Sequence, residues 1–279
     1  MLTVTTLASG SSGNAALVSC GSTHILLDAG ISARRITNGI RAAGVDPEKL
    51  TAIFVTHEHH DHISGLQVLS KKLRVPIVAT DPTCGQIAEK APNTVDLLRS
   101  QRAGTALQVG SLCVRSFPTP HDAAGSVGYS VAGDGCRMVV CTDLGHVTPD
   151  VERAVKGCDL LLCEANHDEE WVRSGPYPLY LKQRILGELG HLSNEAGGRL
   201  AAWAVERGTR TVVLAHLSSE NNTPRHAYEA VCREMRACGI DPELDVSLSV
   251  APRKESGPTF RLARDRAPMY FSEQEAVFC

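Results

Sequence analysis

Four apolar runs of strand length each end in a titratable side chain: AIFVT leads to His57, RMVVCT to Asp143, DLLLC to Glu164 and TVVLA to His216. Such a run, bounded by a polar residue, reads as a buried strand. Open α/β sheets place their ligand crevice at the carboxyl ends of the strands. Four ends carrying imidazole or carboxylate therefore constrain the chain to a sheet with a polar site along one edge. Further runs, LTVTTL, AALVSC, THILLDAG, VPIVAT and SLCVRSF, read as strands. The stretches ISGLQVLSKKL, DPTCGQIAEKA, NEAGGRLAAWAVERG and PRHAYEAVCREMRACG have helical period, and Gly208 and Gly239 stand where helix stops are expected. Hairpins early and alternation later fit an α/β or layered αββα architecture.

A chain of 279 residues, 43% hydrophobic, buries a sizeable core. No repeat or linker divides it, so one domain is expected over residues 1–255, with 256–279 a C-terminal extension of no assigned role. The 28 basic and 31 acidic residues leave a net charge of -3, which provides no global field for a polyanion, and nucleic-acid contacts must be local. The start MLTVTTLASGSSGN lacks the basic head and apolar stretch of a secretory signal, and no segment approaches the roughly 20 apolar residues of a membrane span. A cytoplasmic protein with no membrane partner is expected. The 10 cysteines are dispersed, several inside apolar runs such as Cys141 and Cys163, and read as reduced structural thiols.

The segment HEHHDH, residues 57–62, follows one of the strand ends. In a loop joining strand to helix, His57 and His59 can converge on one cation while Asp61 and His62 face a second. Imidazole with carboxylate suits zinc or a similar first-row metal, and two ions roughly 3.5–4 Å apart can clamp an oxyanion. Six residues cannot fill two coordination shells. His121 in PTPHDA, Asp143 in VVCTDLG and His216 in VVLAHLS are the candidate distant ligands, and an aspartate can bridge two ions through its two oxygens. His60 falls outside this set, and His24, His146, His167 and His226 read as surface or structural residues.

THEHHDH followed by HD, TD and AH resembles the metallo-β-lactamase superfamily, whose pattern is HxHxDH, then His, Asp and His. The resemblance implies a four-layer αββα sandwich with two divalent metal ions at its edge, zinc or manganese with iron possible. It also implies ligand roles: His57, His59 and His121 for the first ion, Asp61, His62 and His216 for the second, Asp143 bridging, and Asp28 of ILLDAG supporting the loop.

The superfamily hosts thioesterases, lactonases, lactamases and nucleases, so a second constellation must choose among them. Glu164, in an E-A context, and His191, ahead of a helix leading back to His216, are similar to the proton relay of the phosphodiesterase branch. Phosphodiester cleavage needs a nucleophile, here a hydroxide bridging the metals that Asp61 helps to hold, charge neutralisation, and a proton for the departing sugar oxygen. His191 oriented by Glu164 can provide that proton. Alternatively, His191 simply precedes a helix capped by Ser193 or Asn194. Ser11, Ser12 and Asn14 of SGSSGN, and Ser218, Asn221 and Asn222 of HLSSENN, are candidate phosphate contacts that serve equally as hairpin or capping residues. Arg34, Arg35, Lys71, Lys72 and Arg74 are candidate rim contacts that read as ordinary solvated faces.

ASGSSGN, LLDAG, PHDA, CEANHD, YPLYLKQRI and GHLSN extend the resemblance over residues 1 to about 255, to the YycJ/WalJ-like group. That group implies a DNA exonuclease acting from 5′ ends, with DNA preferred over RNA. The interval between Asp143 and His216 is too short for a β-CASP domain, and no Gly/Pro-rich tRNA-gripping arm is present. Two rivals stay open: a thioester or lactone hydrolase like glyoxalase II, and a non-catalytic binding protein. Oligomeric state is not legible.

Overall fold

The computed structural model describes residues 1–263. Two seven-stranded sheets face each other. The first runs β14 (Thr259–Leu262), β1 (Leu2–Ala8), β2 (Ala15–Cys20), β3 (Thr23–Leu27), β4 (Leu50–Phe54), β5 (Ile77–Ala79) and β6 (Leu98–Ser100). The second runs β13 (Ser247–Val250), β12 (Thr211–Ala215), β11 (Leu160–Glu164), β10 (Cys136–Cys141), β9 (Val127–Gly133), β8 (Leu112–Pro118) and β7 (Ala106–Val109). Each sheet is antiparallel on one side and parallel on the other: β3 to β6 pair parallel in the first, β10 to β13 in the second.

The parallel halves need crossovers, and the chain supplies helices for them. Ile36 and Ile40 of α1 (Ala33–Ala42) pack with Leu66 and Leu69 of α3 (Leu66–Leu73) and Ile87 of α4 (Asp81–Lys90) on the outer face of the first sheet. The four-residue α2 (His60–Ile63) lies just ahead of α3. On the outer face of the second sheet, Val151 of α5 (Pro149–Val155), Leu200 of α8 (Asn194–Glu206) and Val231 of α9 (Pro224–Ala237) cover Val139, Leu161 and Leu214. The helices α6 (Glu169–Ser174) and α7 (Leu179–Leu186) connect β11 to α8.

Strand residues alternate between layers. In β11, Leu160 and Leu162 enter the core between the sheets, while Leu161 and Cys163 face the helices. Burial on both faces explains why these strands read as continuous apolar runs. The result is the expected αββα sandwich, with cores between the sheets and under each helix layer.

All nine strand-like runs of the sequence form strands. The short β6, β7, β13 and β14, the longer β9, and the helices α1 and α5 to α7, carry weaker patterns; α1, for instance, has few apolar residues besides Ile36 and Ile40. The boundary at residue 255 falls inside the fold, because β14 pairs antiparallel with β1 and closes that edge of the first sheet. The rest of the extension lies outside the described residues. Among the described residues nine cysteines are free thiols, and no helix is long and apolar enough to cross a membrane.

A buried polar contact from Tyr129 is among those that tie the sheets together. The Tyr129 hydroxyl on β9 donates to the Val55 carbonyl just beyond β4 at 2.9 Å, and its ring meets Phe54 edge-on at 5.4 Å between centroids. Burial pushes this phenol well above its usual range, so it remains a donor. Tyr129→Phe should cost about 1–2 kcal/mol, the value of a buried bond whose acceptor is stranded. Chemical denaturation with an unchanged m-value measures it.

Candidate metal centre

Asp28, His57, Asp143, Glu164 and His216 all lie at or just beyond the carboxyl ends of strands, from both sheets. Three of them, Asp28, Asp143 and His216, have left-handed backbones with φ of 58°, 62° and 57°. This conformation costs an L-residue roughly 1–2 kcal/mol and persists only where its surroundings fix it. Here it turns each strand end abruptly, and the side chains meet.

His57, His59 and His121 form one group whose candidate ligand atoms all lie within 4.8 Å, and Asp61, His62 and His216 form a second. Asp143 spans them: one oxygen is 3.4 Å from His62 Nε2, and the other is 3.7 Å from His121 Nε2 and 3.5 Å from His216 Nε2. Asp143 thus lies within reach of both groups. His60 is exposed, outside both groups.

Buried polar atoms normally find partners, and a stranded one costs about 1–3 kcal/mol. His57 Nε2 and Asp143 Oδ2 have no hydrogen-bond partner. Both point into the cluster, so an ion between them satisfies atoms the protein leaves unpaired. The charges agree. Burial alone would lower His216, but Asp143, Asp61 and Glu164 outweigh it and raise it to about 10. Burial likewise opposes His62, which Asp143, Asp61 and Asp28 push well above its ordinary value. The site thus has a field that holds positive charge. Burial and neighbouring histidines lower His57 and His59, favouring the neutral imidazoles that coordinate a metal. The residues present fit a divalent cation.

A second layer orients the first. Asp28 accepts from Thr56 N and from His62 Nδ1, each at 2.8 Å, which leaves His62 Nε2 for the centre. The Gly190 carbonyl does the same for His121 through Nδ1 at 3.1 Å. Asn14 donates to Asp61 and approaches His62 Nε2. Gly30 lets this loop close, since a Cβ there would lie 1.6 Å from the Asp61 carbonyl.

Glu164 is the hub of the other half. Its Oε1 meets His191 Nδ1 at 2.8 Å and His216 Nδ1 at 3.1 Å, while Oε2 accepts the backbone N–H groups of Leu144 and Leu192. Burial opposes ionisation, but His191 and His216 lower this carboxyl to about 2, so it is anionic at neutral pH. Gly197 of α8 brings the helix onto β11; a Cβ there would sit 2.1 Å from the Glu164 carbonyl.

The phosphate candidates separate. Ser11 and Ser12 are exposed on the β1–β2 loop. Asn14 is occupied by the metal-centre loop, Ser218 accepts from the backbone of Glu220 and Asn221, and Asn222 bonds Ala165, Asn166 and Asn194. Asn221 Nδ2 is buried without a partner. Among the rim cations, Arg35 donates to the Lys254 carbonyl and Arg74 pairs with Asp96, while Arg34, Lys71 and Lys72 are exposed on helices.

Three contributors escaped the sequence reading. Thr56 contacts Asp28, His57 and His62; Asn166 donates to the His216 carbonyl; and Asp122 lies 3.5 Å from His121 Nε2 while pairing with Arg184. Each is adjacent to a quoted motif residue, and that adjacency was the only signal.

Residues 23–217 match the beta-lactamase superfamily domain. The chain is 36% identical over 243 residues to the exodeoxyribonuclease WalJ of Streptococcus pneumoniae, covering 86% of this chain and 90% of that one. It is 33% identical over 235 residues to the exodeoxyribonuclease YycJ of Bacillus anthracis, with coverage of 84% and 89%. The metallo-beta-lactamase fold protein YhfI of Bacillus subtilis superposes with a TM-score of 0.68 at 17% identity, over 94% of this chain and all of that one, a likeness of fold.

Because second-layer partners typically govern metal affinity 10–100-fold, Asp28→Asn should weaken metal binding by roughly that factor. Chelator competition followed by elemental analysis measures it, with circular dichroism to check the fold.

Proposed function

Because the chain belongs to the metallo-β-lactamase superfamily, we propose that it is a metal-dependent nuclease that removes nucleotides from DNA ends, acting from the 5′ end. Relatives that cover most of this chain are named exodeoxyribonucleases. The 5′ polarity rests on the group resemblance alone.

The observation that carries the reading is the 2.8 Å contact between Glu164 Oε1 and His191 Nδ1 beside the ligand cluster. A divalent cation supplies Lewis-acid stabilisation of phosphoryl oxygens and renders water nucleophilic near neutral pH. His57, His59, His121, Asp61, His62, Asp143 and His216 would hold it, two ions being the arrangement the two groups favour. Glu164, anionic, accepts the Nδ1–H of His191 and directs its other nitrogen outward. His191 is partly exposed and able to reach a bound molecule, unlike the fully buried Glu164. As the imidazolium, with its Nδ1–H held by Glu164, His191 can give its Nε2 proton to the sugar oxygen as the P–O bond breaks, with the hydroxyl from water remaining on phosphorus.

A thiolate leaves without such a donor, so a thioester hydrolase would need His191 far less. Glu164 also holds His216, so the two residues of the pair are separable. His191→Ala should retain metal and lose about 10²–10⁴-fold in DNA cleavage, the usual contribution of a general acid. Glu164→Gln should lose both. Wild-type cleavage rates in His191→Ala would remove the proton-donor assignment. Asp143→Ala should abolish cleavage. With zinc or manganese present, 5′-labelled DNA should yield labelled mononucleotide from the first turnovers; 3′-labelled DNA should yield a descending ladder.

A further inference from the structure

The helix α7, sequence LYLKQRIL, has no buried residue, and Leu179 and Tyr180 are 71% and 72% exposed. Helices of this length are held by packing an apolar stripe. This one is instead tied at its ends. Lys182 Nζ donates to the Arg173 carbonyl at 2.7 Å, and the Ile185 carbonyl accepts the His191 N–H at 3.1 Å. Arg184 forks onto Asp122, with Nε at 2.5 Å and Nη2 at 3.2 Å from its two oxygens. Asp122 in turn lies 3.8 Å from His59 Nε2 and 3.5 Å from His121 Nε2. The helix is therefore fastened to the rim of the centre with Leu179 and Tyr180 in solvent and Leu181, Ile185 and Leu186 half-buried.

Arg184 uses only two of the five N–H groups of a guanidinium on Asp122 and is about half exposed, leaving the rest of the fork for an anion. Tyr180 is four residues earlier, on the same face and about one helical turn away. An exposed phenol ring next to a cation is the pairing that binds unpaired nucleic acid: the base stacks on the ring while the phosphate meets the guanidinium. A base held in a duplex has both faces covered by its neighbours. Trp171, the nearby aromatic on α6, already stacks on His226 at 4.8 Å.

We propose that α7 is a single-strand clamp, in which Tyr180 stacks on a base beside the scissile phosphodiester and Arg184 holds the adjoining phosphate, so that the protein prefers single-stranded or frayed DNA ends. This rests on the nuclease reading above. Occupancy by another protein instead would leave DNA kinetics independent of Tyr180.

The test uses the metal-loaded full chain as wild type, Tyr180→Ala, Tyr180→Trp and Arg184→Gln, on end-labelled single-stranded and blunt duplex DNA. Tyr180→Ala should raise KM for the single strand about 5- to 100-fold, the range of one base stack, with a smaller effect on the duplex. Tyr180→Trp should restore it. Arg184→Gln should raise KM and flatten its salt dependence. A single strand with 2-aminopurine near a phosphorothioate-protected end should be quenched by wild type and Tyr180→Trp, and not by Tyr180→Ala. If wild type degrades DNA and Tyr180→Ala matches it in KM and quenching, the clamp is overturned alone. Equal losses on both substrates also overturn it. If wild type degrades neither substrate, the nuclease reading falls and the clamp with it.

Discussion

Two buried carboxylates, one from each sheet, decide which nitrogen three of the site's imidazoles present. Asp28 takes Nδ1 of His62; Glu164 takes Nδ1 of His191 and His216. An imidazole has two distinct nitrogens, and the partner of one sets the role of the other. The two ligand candidates are thereby turned inward through Nε2, while His191 keeps its second nitrogen for a bound molecule. Both carboxylates sit at strand ends, so the chemistry depends on how the sheets align. Gly30 and Gly197 permit the close approach of loop and helix within each half, since any side chain there would strike the main chain of Asp61 or Glu164.

The arrangement is expensive in isolation. It buries three carboxylates, Asp28, Asp143 and Glu164, beside the half-buried Asp61 and bends three residues into the left-handed region. Positive charge at the centre makes it sustainable: the carboxylates raise His62 and His216 against burial, while burial and neighbouring histidines lower His57 and His59. The continuous cores on each side of the sheets supply the rigidity that keeps the strained strand ends in place.

Much of this was legible in the residues. Strand ends at His57, Asp143, Glu164 and His216 were visible because strands buried on both faces are apolar without interruption, so a charged residue at the end stands out. Asp28 and the HEHHDH loop were visible through motif. Thr56, Asn166 and Asp122 were not, because a hydroxyl, amide or carboxylate one or two residues from a site residue is as common in ordinary loops. Asn14, Ser218 and Asn222 read equally as phosphate donors or as hairpin and capping residues, and their side chains brace loops, a choice that depends on three-dimensional partners. The role of β14 was hidden because it is short and pairs with a strand more than 250 positions away.

Anomalous diffraction from crystals grown with zinc or manganese, recorded on either side of the metal's absorption edge, tests the central claim most directly. The account predicts peaks at coordination distance from His57, His59 and His121 and from Asp61, His62 and His216, with Asp143 reaching both. Ordered side chains with no anomalous peak among them, in crystals whose protein binds no metal in solution, would contradict it.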